Sequence, residues 1–191
     1  MGRPVSIETD DLMWILSNVF KDVGYEAASL AMLSEATGLK KASLYHRFPG
    51  GKEQMAHEVL SGAGALLSEN VLVPLQGDGS PEERVRVMTR RLGEFYSGGK
   101  QACLLNLLAS PLINQGPFAK EIKSTFRALI DSLKGVMIDA EIPDKIALAR
   151  AERAVMLLQG SLVLSRGLGT TRPFKECLKN MSVELFGAVA E

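Results

Sequence analysis

Between Ser29 and Lys52 two short helical segments meet across Thr37-Gly38-Leu39, and this punctuation constrains the chain more than any other feature. Ser29 is a good N-cap, and the first segment runs to Ala36 with Leu30 and Leu33 inward. Thr37-Gly38 stops it, because glycine accepts the left-handed conformation that ends helices, and Leu39 follows as an apolar plug. The second segment covers Lys40 to Arg47, with Leu44 and Phe48 anchoring its inner side. Upstream, Leu12, Ile15, Leu16, Val19, Phe20 and Val23 recur at three- and four-residue spacing, which predicts an amphipathic helix over Ile7 to Val23. Thr9 and Asp10 are its candidate caps and Gly24 its terminator. Helix, tight turn, helix, behind a supporting first helix, is the layout of a helix-turn-helix unit. The stretch from Gly38 to Lys52 holds Lys40, Lys41, Arg47 and Lys52, a histidine and a tyrosine, and no acid. We therefore expect it to contain a recognition helix for DNA.

Whole-chain charge gives no such hint. Lys+Arg and Asp+Glu balance at 22 each among 191 residues, so a polyanionic partner must be met by a local patch. Cys103 and Cys177 stand far apart with no paired histidines, against a disulfide scaffold or zinc site and in keeping with a reducing, cytoplasmic setting. The N-terminus turns acidic where a signal peptide would turn apolar. The longest apolar run, Ala154 to Leu164, is interrupted by Gln159, Gly160 and Ser161 and is too short to span a membrane.

The rest of the chain reads as helix throughout, about nine in all, with no β alternation and no internal repeat. Pro49-Gly50-Gly51 forces a turn. A long helix then runs from Lys52 to about Val71 on Met55, Val59, Leu60, Ala63 and Leu67, before Pro74 breaks it. Ser80-Pro81-Glu82-Glu83 reads as a capping box with proline at the first helical position. The helix it opens carries Val85, Met88, Leu92, Phe95 and Tyr96 and ends at Gly98-Gly99. Cys103 to Ala109 is a short apolar helix closed by Pro111, and Pro117 to about Asp139 is a longer one. Trp14, a lone aromatic, reads as core or interface. The segments 144–166 and 173–189 differ from the others, because the first becomes apolar nearly all round from Ala154 to Leu164. A helix apolar on every side must be covered on every side. Gly160 and Ser161 allow close approach, so we expect these two helices to form half of a four-helix homodimer interface.

The strings Gly24 to Ser29, Leu33 to Leu39, Ala42 to Phe48 and Lys52 to Met55 resemble the DNA-binding domain of the tetracycline-repressor (TetR) family of bacterial regulators. Leu44-Tyr45-His46, with Phe48 two residues on and Lys52-Glu53 close behind, is the most specific part. The resemblance covers roughly the first 60 residues; beyond them only helix number, order and length agree. The Phe48-Pro49-Gly50-Gly51-Lys52 form is similar to the branch that includes repressors of multidrug-efflux genes. The resemblance implies a homodimer that binds a palindromic operator and is released by a small molecule. It implies a helix-turn-helix domain over 1–50 and a helical ligand-binding and dimerisation domain over 51–191. Leu33-Ser34 departs from the family's usual Ile-Ala. Lys40 stands where the third helix usually starts on Ser or Thr, and losing a cap costs about 1 kcal/mol. Either Ser43 or a bound phosphate takes over the exposed N–H groups, or that helix end is loose until DNA arrives.

On such a helix Lys40, Lys41 and Ser43 stand at the leading end, where Lys can contact guanine O6 and N7 and Ser either donor or acceptor edges. Tyr45 and His46 are placed to hydrogen-bond phosphates. Lys52 would clamp a phosphate with its charge and the helix dipole, and Ser29 could act likewise. Arg3 on the N-terminal arm could reach backbone or minor groove. Further along, Phe95, Tyr96, Leu105, Leu108, Phe118, Phe126, Met137, Met156 and Gln159 are candidates to line an apolar effector pocket.

Enzyme readings fail on their details. Gly50-Gly51-Lys52 lacks the upstream glycine of a phosphate loop, and Glu53 stands where Ser or Thr must bind magnesium. The pairs Gly62/Gly64 and Gly167/Gly169 lack a third glycine and a preceding strand. His46 and His57 have no partner set at useful spacing, and Cys103 in an apolar helix reads as a buried small side chain. No catalytic residue, metal or cofactor is expected. The alternative from another class is a small-molecule-binding helical module with lost or altered DNA binding.

Overall fold

The computed structural model describes residues 7–110, 112–113 and 115–187. Among them it is all-helical, with nine α-helices: α1 (Thr9–Ala27), α2 (Leu30–Thr37), α3 (Lys41–Arg47), α4 (Gly51–Leu67), α5 (Pro81–Phe95), α6 (Leu104–Leu108), α7 (Ala119–Asp139), α8 (Asp144–Gly167) and α9 (Arg172–Phe186). They form two compact units. The first takes the described residues up to Ala63 together with Leu104–Glu121; the second takes Gly64–Cys103 and the chain from Ile122 onward.

In the first unit α1 buries Leu12, Leu16 and Phe20 completely. Full burial of such side chains contributes about 1.5–3 kcal/mol each, and this stripe is the floor on which α2 and α6 pack. The periodicity located the helix, but several details differ. Gly24 breaks the helical path with φ 79°, as expected, yet one further turn follows, and the Ala28 N–H closes it on the Gly24 carbonyl. Val23, expected inside, is exposed in the turn that leads into the break. Neither Thr9 nor Asp10 is the cap: Glu8 holds that position and makes no side-chain cap bond. Trp14 is 65% exposed, so it belongs to no core within this chain.

The second unit is centred on α5. Its start is the predicted capping box, with the Glu83 N–H donating to Ser80 Oγ at 3.3 Å and the Ser80 N–H to Glu83 Oε2 at 3.1 Å. Before it, α4 stops at Leu67, earlier than expected. The chain continues as a wide π turn over Ser68–Leu72 and a tight 3₁₀ turn over Val73–Gln76 that holds Pro74. Arg84, on the first turns of α5, is buried. It donates to the Leu75 carbonyl at 2.9 Å and to Asp139 Oδ2 at 2.8 Å, fastening the 3₁₀ turn and the end of α7 to α5. α8 and α9 pair along their length, and Arg150 donates to the Leu185 carbonyl while Arg153 pairs with Glu184. The all-round apolar run of α8 divides by face: Ala154, Val155, Leu158 and Leu162 are buried, and Met156, Leu157, Val163 and Leu164 are exposed.

Candidate nucleic-acid interface

The turn between α2 and α3 is held by side chains as well as backbone. Ser29 caps α2 by accepting from the Met32 N–H at 3.2 Å. Gly38 takes the left-handed conformation (φ 67°) that a Cβ would strain, and its N–H donates to the Glu35 carbonyl. Buried Thr37 donates to the Leu33 carbonyl at 2.7 Å and accepts from the Leu39 N–H at 3.3 Å. Ser34, at the place of the family's usual Ala, donates to the Leu39 carbonyl at 2.6 Å. That departure thus strengthens the turn.

α3 is anchored by Leu44 and Phe48, at 0% and 1% exposure. Its opposite side presents Lys40, Lys41, Ser43, Tyr45 and His46, all exposed. Lys40 is the N-cap residue and makes no side-chain cap bond, so the first N–H groups of α3 lack a side-chain acceptor. Arg47, given no role by sequence reasoning, closes the helix-turn-helix against α1. Its Nη2 donates to Thr9 Oγ1 at 2.6 Å and its Nη1 to the Ile7 carbonyl at 3.4 Å. The candidate Arg3 lies outside the described residues.

Beside α3, Ser29, Tyr45, Gly50, Gly51 and Lys52 line a depression of about 570 Å³. Gly51 (φ 63°) makes the turn into α4, and its N–H donates to the Phe48 carbonyl at 2.8 Å. The Gly50 N–H donates to Gln54 Oε1 at 2.8 Å, so the Gln54 side chain covers the start of α4. Lys52 is already engaged: its Nζ donates to the Tyr25 carbonyl at 2.8 Å and the Glu26 carbonyl at 3.4 Å, and sits 4.4 Å from the centre of the Tyr25 ring. These bonds satisfy carbonyls at the end of α1. An ammonium has three donors, so one remains. Partial burial raises the Tyr25 phenol above its ordinary range, with Glu53 and Glu26 adding to the effect.

The effector candidates do not form one set. Phe95, Tyr96 and Gln159 come together in the second unit. Phe95 meets the Tyr96 ring edge-on at 5.0 Å, and the Tyr96 hydroxyl donates to Cys103 Sγ at 3.5 Å and lies beside Gln159. Burial, followed by the neighbouring Cys103, pushes the Tyr96 phenol well above its ordinary 10.0. Phe126 is half-buried and Met137 fully buried in the same unit. Met156 points outward at 66% exposure. Leu105, Leu108 and Phe118 are buried in the first unit. There the Phe118 ring lies edge-on to Tyr25 at 4.9 Å and to His57 at 4.8 Å, and His57 Nδ1 stands 3.0 Å from Glu121 Oε1.

Fold and site together define an all-helical helix-turn-helix protein. Residues 17–59 match the family described as "Bacterial regulatory proteins, tetR family". The helix-turn-helix is similar to that of the family so described, and the fold is shared with solved proteins that carry its name. A transcriptional regulator from Legionella pneumophila superposes with a TM-score of 0.82 at 21% identity, over 96% of this chain and 100% of that one. A cysteine mutant of the TetR-family regulator CifR, complexed with 26bp double-strand operator DNA, superposes with a TM-score of 0.74 at 20% identity, over 94% of this chain and 98% of that one. In sequence, the Bacillus subtilis protein named "Uncharacterized HTH-type transcriptional regulator YxaF" is 27% identical over 87 residues, 46% of each chain. The match thus spans less than half the length of that relative. Among the described residues no group of three or more His, Cys, Asp or Glu side chains is placed to hold a metal ion, and no helix is long and apolar enough to cross a membrane.

Proposed function

We propose that the protein is a DNA-binding transcriptional regulator, a repressor that binds a palindromic operator as a homodimer and is released by a small apolar or aromatic effector. The observation that carries this reading is the outward face of α3, where Lys40, Lys41, Ser43, Tyr45 and His46 are exposed on a helix whose other side is locked into the core. Lys41 and Ser43 read base edges in the major groove. Tyr45, His46, Ser29 and the remaining donor of Lys52 contact phosphates, and a phosphate completes the open start of α3. Residues 1–50 form the DNA-reading part and 51–191 the regulatory part, and the protein works in the cytoplasm without catalysing a reaction. The Phe48-to-Lys52 string supports placing it with repressors of multidrug-efflux genes.

Dimerisation is supported by the exposed side of α8 and α9. Met156, Leu157, Gly160, Leu164, Pro173 and Cys177 line a largely apolar groove there, with Val163 and Val183 also exposed on these helices. A second copy covering this face would set two α3 helices about 34–36 Å apart, one turn of DNA. The effector binds one state of the dimer better and so changes operator affinity. Support for a pocket rests on the Phe95, Tyr96 and Gln159 cluster.

Selection of bound duplexes from a random pool tests the reading. An enriched inverted repeat is expected, bound with an affinity that falls steeply with salt because a dimer neutralises roughly eight to ten phosphates. Recovery of no enriched sequence, together with binding of small apolar ligands, favours the module with lost DNA binding. Screening effectors against the selected complex then tests release.

A further inference from the structure

Phe118 is 1% exposed and immediately precedes α7, more than fifty residues beyond the helix-turn-helix, yet it is a member of the first unit. Its ring is gripped between Tyr25 and His57 in two edge-on contacts, at 4.9 and 4.8 Å. Tyr25 in turn meets Phe20 at 6.1 Å and carries the Lys52 ammonium 4.4 Å from its ring centre. We infer that Phe118 is a positioning residue for DNA binding, holding the Tyr25 ring so that the Lys52 ammonium is fixed with one N–H free for a phosphate. This rests on the DNA-binding reading above.

The physical argument has two parts. A lysine ammonium on a four-carbon stem is mobile, and each phosphate contact made from a disordered side chain loses the entropy of ordering it. Here the two carbonyls of the α1 terminus and the ring face restrict it before DNA arrives. The ring itself stands at the edge of α1, after the Gly24 break, where the local helix no longer dictates its place. An edge-on contact supplies that restraint: Phe118 meets the Tyr25 ring at 4.9 Å, nearer than the tilted Phe20 ring at 6.1 Å. His57, paired with Glu121, closes the far side of Phe118.

The test measures binding of full-length protein to random-sequence duplex DNA by fluorescence anisotropy across a salt series. Each neutralised phosphate contributes about 0.9 to the slope of log K against log salt. Lys52→Ala is expected to make the slope shallower by about 1.8, one phosphate from each protomer. Phe118→Leu, which keeps an apolar side chain but removes the ring, should shift the slope the same way by at least half as much, and add nothing when combined with Lys52→Ala. Tyr25→Leu, at a half-buried site where folding is little at risk, should repeat the effect, and Tyr25→Phe should leave the wild-type slope. Melting temperatures recorded alongside separate lost folding from lost positioning. A wild-type slope in Phe118→Leu and Tyr25→Leu, with a reduced one in Lys52→Ala, overturns the inference while leaving DNA binding intact. An unchanged slope in Lys52→Ala overturns it as well. A wild-type protein with no salt-dependent binding refutes the DNA-binding reading itself.

Discussion

Replacing Arg84 by Ala probes the joint on which the second unit is assembled. The side chain is 10% exposed and its Nη1 serves two acceptors, the Leu75 carbonyl at 2.9 Å and Asp139 Oδ2 at 2.8 Å. A hydrogen bond from a charged donor to a buried carbonyl contributes about 1.5–3 kcal/mol. The pair with Asp139 contributes less, roughly 0.5–1 kcal/mol, because that carboxylate is 55% exposed and water screens and re-solvates it. Removing the apolar stem costs about 1 kcal/mol more. Arg84→Ala should therefore destabilise by about 3–5 kcal/mol, a fall in Tm of roughly 6–20 °C for a chain of this size. Asp139→Asn should cost about 1 kcal/mol or less, and Arg84→Met, which keeps the stem, should fall between. Thermal unfolding followed by circular dichroism at fixed protomer concentration checks the order. A fall of less than 2 °C (~0.5 kcal/mol) for Arg84→Ala, or an equal fall for Asp139→Asn, refutes the assignment of the carbonyl as the main partner.

Other outcomes follow from single contacts. Gly99 sits at φ 91°, and a Cβ there would lie 2.8 Å from the Phe174 side chain, so Gly99→Ala should cost about 2–4 kcal/mol in urea unfolding. Because the Tyr96 phenol is raised in the fold, its contribution is complete below the ordinary 10.0 and is lost as pH rises through the higher folded value. Stability should accordingly drop on the alkaline side, and Tyr96→Phe should flatten that limb of the pH profile. Burial raises the Cys177 thiol above 9.0, and Cys103 is 4% exposed, so both should react with iodoacetamide at pH 8 more slowly than free cysteine. Lys41→Ala should weaken binding of the selected duplex by about 1–3 kcal/mol and relax its sequence preference, as read by competition with single-base variants.

Much of the local architecture was legible because it depends on neighbours in sequence. Ser29 and Ser80 cap the helices they precede, Gly38 takes the left-handed turn, and Leu44 and Phe48 face inward, each a consequence of residues within one helical turn. What could not be read depends on distant chain. Arg47 looks like one more positive charge on α3 until folding brings Thr9 and Ile7 beneath it. Arg84 lies in a helix start rich in charge, and nothing in its neighbourhood announces that Leu75 and Asp139 will bury it. Phe118 and Met156 are pocket candidates by their apolar character, but composition cannot tell which face or which unit a side chain joins. The widening of α4 into a π turn at Ser68 has no marker of its own beyond Pro74 downstream.

The first unit's use of Leu104–Glu121 bears on how such proteins are recombined. A transplant of residues 1–50 onto another regulator would leave behind α6, which packs on α1, and the Phe118 ring that contacts Tyr25. The recipient would have to supply its own residues against Leu12, Leu16 and Phe20. On the proposed function, operator preference would therefore not be a detachable cassette in this chain: exchanging it cleanly would require moving two separated stretches of sequence together.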